Sequence, residues 1–128
     1  MALIVDGNNV MGSRPDGWWR DRPGAAARLA EAIGAWAERE AGEDVTVVFD
    51  GRAPAGFAAP AAIEVRFADR GGRDAADDLI AALVAGAEEP RALTVVTSDA
   101  ALAGRVRTHG AAVTGARGFR DAIQPAAG

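Results

Sequence analysis

Short apolar runs alternate along the chain with longer stretches in which apolar residues recur at helical spacing. The first run, Ala2 to Val5, ends in the turn-formers Asp6-Gly7-Asn8-Asn9. That pattern predicts a strand followed by a loop continuing through Met11 to Pro23, rich in Gly, Pro, Arg and Trp. From Gly24 to Ala41, Leu29, Ile33 and Trp36 share a helical face, with Glu31, Glu38, Arg39 and Glu40 mostly opposite. Gly42 fits the C-terminal stop of that helix, and Val45 to Phe49 reads as a buried strand ending at Asp50.

After a Pro/Gly/Ala loop from Gly51 to Pro60, Ile63, Val65 and Phe67 alternate with Glu64 and Arg66. This period of two marks a half-exposed strand near a sheet edge. A Gly/Arg loop from Arg70 to Arg73 precedes a helix from about Asp74 to Ala87, with Leu79, Ile80, Leu83 and Val84 as its apolar stripe. Leu93 to Thr97 predicts a central strand, Ala100 to Thr108 a short helix and Ala111 to Thr114 a last strand. A final helical turn falls around Phe119 to Ile123. Strands alternating with helices imply an α/β fold with three α/β/α layers and a mostly parallel five-stranded sheet. Residues 1–124 read as a single domain, and 125–128 as a frayed tail.

Composition narrows the chemistry. The chain has no cysteine and one histidine, His109, just before Gly110, where a helix C-cap explains it. Thiolate metal sites and cysteine nucleophiles are excluded, and zinc is disfavoured. No run of about 18 apolar residues and no signal-peptide pattern occurs, so a cytoplasmic protein without a membrane association is expected. The net charge is −4, the opposite of a simple cationic nucleic-acid binder. All 14 basic residues are arginine. If part of the acidic charge binds a cation, Arg14, Arg20, Arg22, Arg52, Arg66, Arg70 and Arg73 remain for a phosphate path. Trp18-Trp19 lie among them, placed either to stack single-stranded bases or to cover the sheet edge.

Ligands of open α/β sheets bind beyond the carboxyl ends of the strands, where strand order reverses. Asp6 and Asp50 follow strands directly there, and Asp99 follows the fourth closely. If the first and fourth strands are neighbours, Asp6 and Asp99 converge. Asp74, Asp77 and Asp78 open a helix and supply a second group of carboxylates. Helix capping accounts for Asp99 and for the Asp74 to Asp78 group taken singly, and a turn accounts for Asp50. Several like charges at one end of a sheet are tolerable chiefly when a divalent cation neutralises them. An all-oxygen donor set suits Mg²⁺ or Mn²⁺.

With these residues in view, the sequence resembles the NYN domains, specifically the YacP-like group within the PIN-like nuclease fold. The matching segments are Leu3-Ile4-Val5-Asp6-Gly7-Asn8-Asn9, Val47-Val48-Phe49-Asp50-Gly51, Ala76-Asp77-Asp78-Leu79-Ile80 and Thr97-Ser98-Asp99. In order and spacing they span nearly the whole chain. The resemblance implies a Mg²⁺- or Mn²⁺-dependent endoribonuclease and carries over Asp6, Asn9, Asp77, Asp78 and Asp99 as its catalytic residues. Asp6, Asp77 and Asp99 would hold the cation, with Asp78 either supporting them or binding a second ion. Asn8, Arg14, Arg20, Arg52, Arg73 and Ser98 would contact RNA that is single-stranded or ribosome-associated.

Rival chemistries lack their residues. A haloacid-dehalogenase phosphatase needs a second aspartate two positions after the first, and Asn8 stands there. A response-regulator receiver needs a lysine, and the chain has none. Phosphate-loop and dinucleotide fingerprints are also absent. Two alternatives retain the fold: a catalytically inactive RNA- or ribosome-binding module, and the toxin of a toxin–antitoxin pair.

Overall fold

The computed structural model describes residues 2–41, 44–69 and 74–124. Five strands form one sheet: β1 (Ala2–Asp6), β2 (Asp44–Asp50), β3 (Glu64–Ala68), β4 (Leu93–Val96) and β5 (Ala112–Thr114). Their spatial order is β3-β2-β1-β4-β5, and all four pairings are parallel. The alternating strand takes the sheet edge, as its half-polar pattern predicts.

Five α-helices cover the sheet: α1 (Gly7–Met11), α2 (Arg22–Trp36), α3 (Ala75–Ala85), α4 (Ala100–Thr108) and α5 (Ala116–Ile123). Because β1, β2 and β4 are buried on both faces, their side chains divide between two cores. Val5, Val45, Val47, Phe49 and Val96 pack with α1, α2 and α5. Ile4, Val48 and Val95 pack with Ile80 and Val84 of α3 and Leu102 and Val106 of α4. Burying each such side chain is worth roughly 1.5–3 kcal/mol, so the two cores set which face of the sheet each strand residue points to.

Connections running outward from β1 to β2 and β3 lie on one face, and those returning through β4 and β5 lie on the other. A uniform crossover hand requires this division. The β2–β3 connection contains no helix. Phe57 instead sets its edge against Phe67, with ring centroids 5.1 Å apart, and Pro60 sits where a side chain on Gly34 would clash.

The structure corrects the expected boundaries in four places. Asp6-Gly7-Asn8-Asn9 does not open a continuous loop: Gly7–Met11 is a short helix, and Trp18–Arg20 forms a turn of 3-10 helix. Gly and Asn are poor helix formers, but burial of Val10 and Met11 overrides local preference. Helix α2 begins at Arg22 rather than Gly24, since Asp21 Oδ1 accepts from the Gly24 N–H at 3.1 Å and Pro23 occupies the first turn. It ends at Trp36 and passes into a π-helical turn, Ala37–Ala41. Helix α5 starts at Ala116, whose N–H is taken up by Ser98 Oγ at 2.9 Å. The expected stop at Gly42, the Arg70 to Arg73 loop and the 125–128 tail lie outside the described residues. Among the described residues, no helix is long and apolar enough to cross a membrane.

Candidate active site

The strand order reverses at β1, so the carboxyl ends of β1 and β4 flank the crevice where such sheets bind ligands. Asp6 ends β1 there and is nearly buried, at 4% exposure. Its Oδ2 accepts a 2.9 Å hydrogen bond from the hydroxyl of Thr97, itself buried just beyond β4. Thr97 Oγ1 in turn accepts from the Asp99 N–H at 3.1 Å. One hydroxyl therefore fixes the Asp6 carboxylate and the backbone that carries Asp99. Asp99 Oδ1 caps α4, accepting from Ala101 N–H at 2.8 Å and Leu102 N–H at 3.1 Å.

The two asparagines act as clips. Asn8 Oδ1 accepts from the Asp50 N–H, and Asn9 Oδ1 from the Ser98 N–H, both at 2.7 Å. They tie α1 to the ends of β2 and β4 across the sheet. Because each carbonyl oxygen is engaged by backbone, each Nδ2 is left as a donor without a partner among the described residues. Gly7 permits this placement: a Cβ there would lie 2.6 Å from the Phe49 ring and 2.9 Å from the Val48 carbonyl oxygen.

Helix α3 brings the remaining acids. Asp74 occupies its N-cap position but makes no side-chain cap bond. Asp50 does that work from β2, its Oδ1 accepting from the Ala76 N–H at 2.9 Å. Asp77 and Asp78 are separated by one helical step and point differently. Asp77 faces the crevice, whereas Asp78 is exposed and pairs with Arg105 of α4 at 2.9 Å.

The result is an open cleft of about 520 Å³ lined by Asp6, Asn8, Asn9, Asp50, Asp74, Asp77 and Asp99. Its electrostatics are unfavourable for the bare protein. Burial pushes the Asp6 carboxyl up to about 6; Asp77 and Asp50 push the same way, against the Thr97 hydroxyl. The Asn9 N–H also holds it down, though it does not form a cap hydrogen bond. Asp77 is raised as well, first by burial and then by the charges of Asp99, Asp50 and Asp74, with Arg105 opposing.

Of the residues singled out in the sequence, Asp6, Asn8, Asn9, Asp77 and Asp99 meet in this cleft, and Asp78 does not. Asp50 and Asp74 join it. Ser98 shapes the rim through two bonds: its N–H donates to Asn9 Oδ1, and its hydroxyl accepts from the Ala116 N–H. Arg14 is turned to α5, pairing with Asp121 at 2.8 Å and donating to the Gln124 carbonyl oxygen at 2.6 Å. Arg20 lies over the Trp19 ring, 5.9 Å from its centroid. Arg52 borders an adjoining hollow, and Arg73 lies outside the described residues. Thr97, not picked out singly beforehand, stands in the Thr97-Ser98-Asp99 segment.

A model of the YacP-like NYN domain matches residues 3–127. The chain belongs to the YacP-like NYN family. Among solved structures, Rae1 (YacP) from Bacillus subtilis is similar, with 22% sequence identity and a TM-score of 0.73. Its tryptophan-to-leucine mutant gives 23% and 0.71; each comparison covers 97% of this chain and 74% of the other. At such identity the likeness is one of fold. No curated protein matches the chain.

Within this NYN domain the donor set suits a hard cation. The lining side chains offer only oxygen acceptors and amide donors, and the acids carry mutual repulsion that Arg105 only partly offsets. Among the described residues no three acidic or histidine side chains form a finished metal-ligand group. Mg²⁺ fits such a cleft, because it keeps several waters and takes only one or two carboxylates directly.

Proposed function

We propose that this NYN domain is a Mg²⁺- or Mn²⁺-dependent endoribonuclease acting on single-stranded RNA. The observation that carries the reading is the meeting of Asp6, Asp77 and Asp99, from β1, α3 and the start of α4, in one cleft with Asp50 and Asp74. A protein that only bound RNA would gain nothing from carboxylates facing phosphate, whose charge they repel.

Asp6, Asp77 and Asp99 would hold the cation, one or two of them directly and the rest through its bound waters. When bound, it would make a water acidic enough to attack the phosphodiester and neutralise charge on the scissile phosphate. The chain's own groups do the rest. Asn8 and Asn9 present amide donors that can orient a phosphate oxygen, which carboxylates cannot do. Thr97 holds the Asp6 carboxylate in place, and Asp50 fixes the first turn of α3 so that Asp77 keeps its aim. In-line attack by that water would break the bond to the 3′-oxygen and leave a 5′-phosphate and a 3′-hydroxyl. Trp19, 51% exposed beside Arg20, offers a stacking face to an unpaired base.

Labelled single-stranded RNA incubated with the protein and Mn²⁺, or with EDTA, tests the reading. Cleavage that disappears with EDTA and with Asp6→Asn supports it. RNA retained without cleavage in either condition would identify an inactive RNA- or ribosome-binding module instead.

A further inference from the structure

Beside the acidic cleft is a second hollow of about 300 Å³, and the two share Asn8 and Asp50. We propose that this hollow seats one unpaired nucleotide of the RNA strand, the neighbour of the phosphate held over the carboxylates. The proposal rests on the ribonuclease reading for its choice of polymer.

The lining divides by chemistry. Half-buried Phe67, backed by the buried Met11 and Phe49, gives an apolar floor, and Arg22 and Arg52 stand at the same hollow. Phe67 is only partly buried and stacks on Phe49, with centroids 5.5 Å apart. A flat aromatic base fits such a floor, while its sugar and phosphate need cations at the edge. The arginines are available for that. Arg14, Arg66, Arg105 and Arg120 are each paired with a carboxylate. Among the described residues Arg52 has no such partner, and Arg22 has only the Trp18 ring, 5.2 Å away.

Size and charge select the occupant. A hollow of this volume sits at the lower end of the roughly 300–1,000 Å³ of small-ligand sites, enough for one nucleotide and too small for a base pair. A base must leave its helix to enter, which favours unpaired RNA. The acidic cleft alone repels an anionic strand, and two unpaired arginines next to it give the strand a place to be gripped before any cation contributes. Gly51 makes the turn between them: its left-handed backbone, φ +84°, lets Asp50 and Arg52 both border the hollow.

The test is fluorescence anisotropy of a short labelled RNA at low salt in EDTA, so that binding is read without cleavage. Arg22→Ala and Arg52→Ala, both exposed positions, should each weaken binding several-fold, while Arg117→Ala on α5 should not. A set of oligonucleotides with one abasic site each should show one position where losing the base weakens binding roughly five-fold or more. A flat abasic profile, no binding at all, or equal affinity for duplex of the same sequence would overturn the proposal. Displacement by free nucleoside monophosphates at concentrations comparable to the RNA would also overturn it, by making the hollow a mononucleotide site. Cleavage with Mn²⁺ is scored separately. Cleavage with a flat profile removes the nucleotide seat and leaves the nuclease; a peaked profile without cleavage does the reverse.

Discussion

Thr97 and Asp6 are 91 residues apart in sequence and joined by a 2.9 Å hydrogen bond at the seam of β1 and β4. The bond places a hydroxyl against the one acid in the cleft that is nearly buried, where water cannot replace it. Hydrogen bonds to charged groups contribute about 1.5–3 kcal/mol, and this one favours the ionised carboxylate that cation binding requires.

Thr97→Val keeps the shape and deletes the donor, so Asp6 should hold its proton to a higher pH. The expected result is an acid limb of the pH–rate profile for RNA cleavage displaced upward by roughly one pH unit. At pH 8 the variant should recover much of the parent's rate. A rate reduced equally at every pH would mean that Thr97 does not act on Asp6 ionisation.

Asp6 also makes a signed prediction for stability. Its pKa stands at about 6 in the folded chain against an ordinary 3.8, so the folded state binds the extra proton between those values. The stabilisation is full below about pH 4 and is lost as pH rises through 6. The ionised carboxylate costs the cation-free protein on the order of 3 kcal/mol at neutral pH. Urea denaturation in EDTA should therefore show stability falling from pH 4.5 to pH 7.5. Asp6→Asn should flatten that slope, making the variant the more stable protein at pH 7.5. A parallel slope in both proteins would place the titrating group elsewhere.

The sheet was legible because β1, β2 and β4 are buried on both faces and leave continuous apolar runs, while β3 at the edge alternates. Asp6, Asp77 and Asp99 were legible because strand ends and helix starts are where such a fold assembles a site. Helix α1 was not, since Gly7, Asn8 and Asn9 carry turn chemistry locally. Only the backbone groups of Asp50 and Ser98, supplied by distant strands, give the two asparagines another use. Asp50 and Asp74 show the same limit. Each fits a local role, turn or cap, and only the folded chain reveals that Asp50 caps α3 and leaves Asp74 free to face the cleft. The arginines were least legible, because pairing such as Arg14 with Asp121 depends on where α5 packs.

The adjacent pair Asp77 and Asp78 offers a control within one turn of helix. Asp77→Asn should reduce the cleavage rate at least about 100-fold, since it removes a carboxylate from the cleft while keeping its size. Asp78→Asn should change the rate less than about three-fold. It breaks only an exposed pair with Arg105, of a kind worth about 0–1 kcal/mol. Comparable losses from both would mean that Asp78 serves the reaction despite its outward placement.

Cation binding can be read without RNA. If Mg²⁺ or Mn²⁺ relieves the repulsion among Asp6, Asp77 and Asp99, it binds the folded chain and not the unfolded one. At a concentration 100 times its dissociation constant it would add about 2.7 kcal/mol, a rise in melting temperature of roughly 10 °C for a domain of this size. The rise should be large at pH 7.5 and small at pH 5, where the Asp6 proton competes with the ion. Asp6→Asn and Asp77→Asn should each reduce it, and Asp78→Asn should leave it intact. Differential scanning calorimetry across these four proteins, with and without the ion, gives the answer. No shift with either ion at pH 7.5 would remove the cation from the cleft and the hydrolytic mechanism with it.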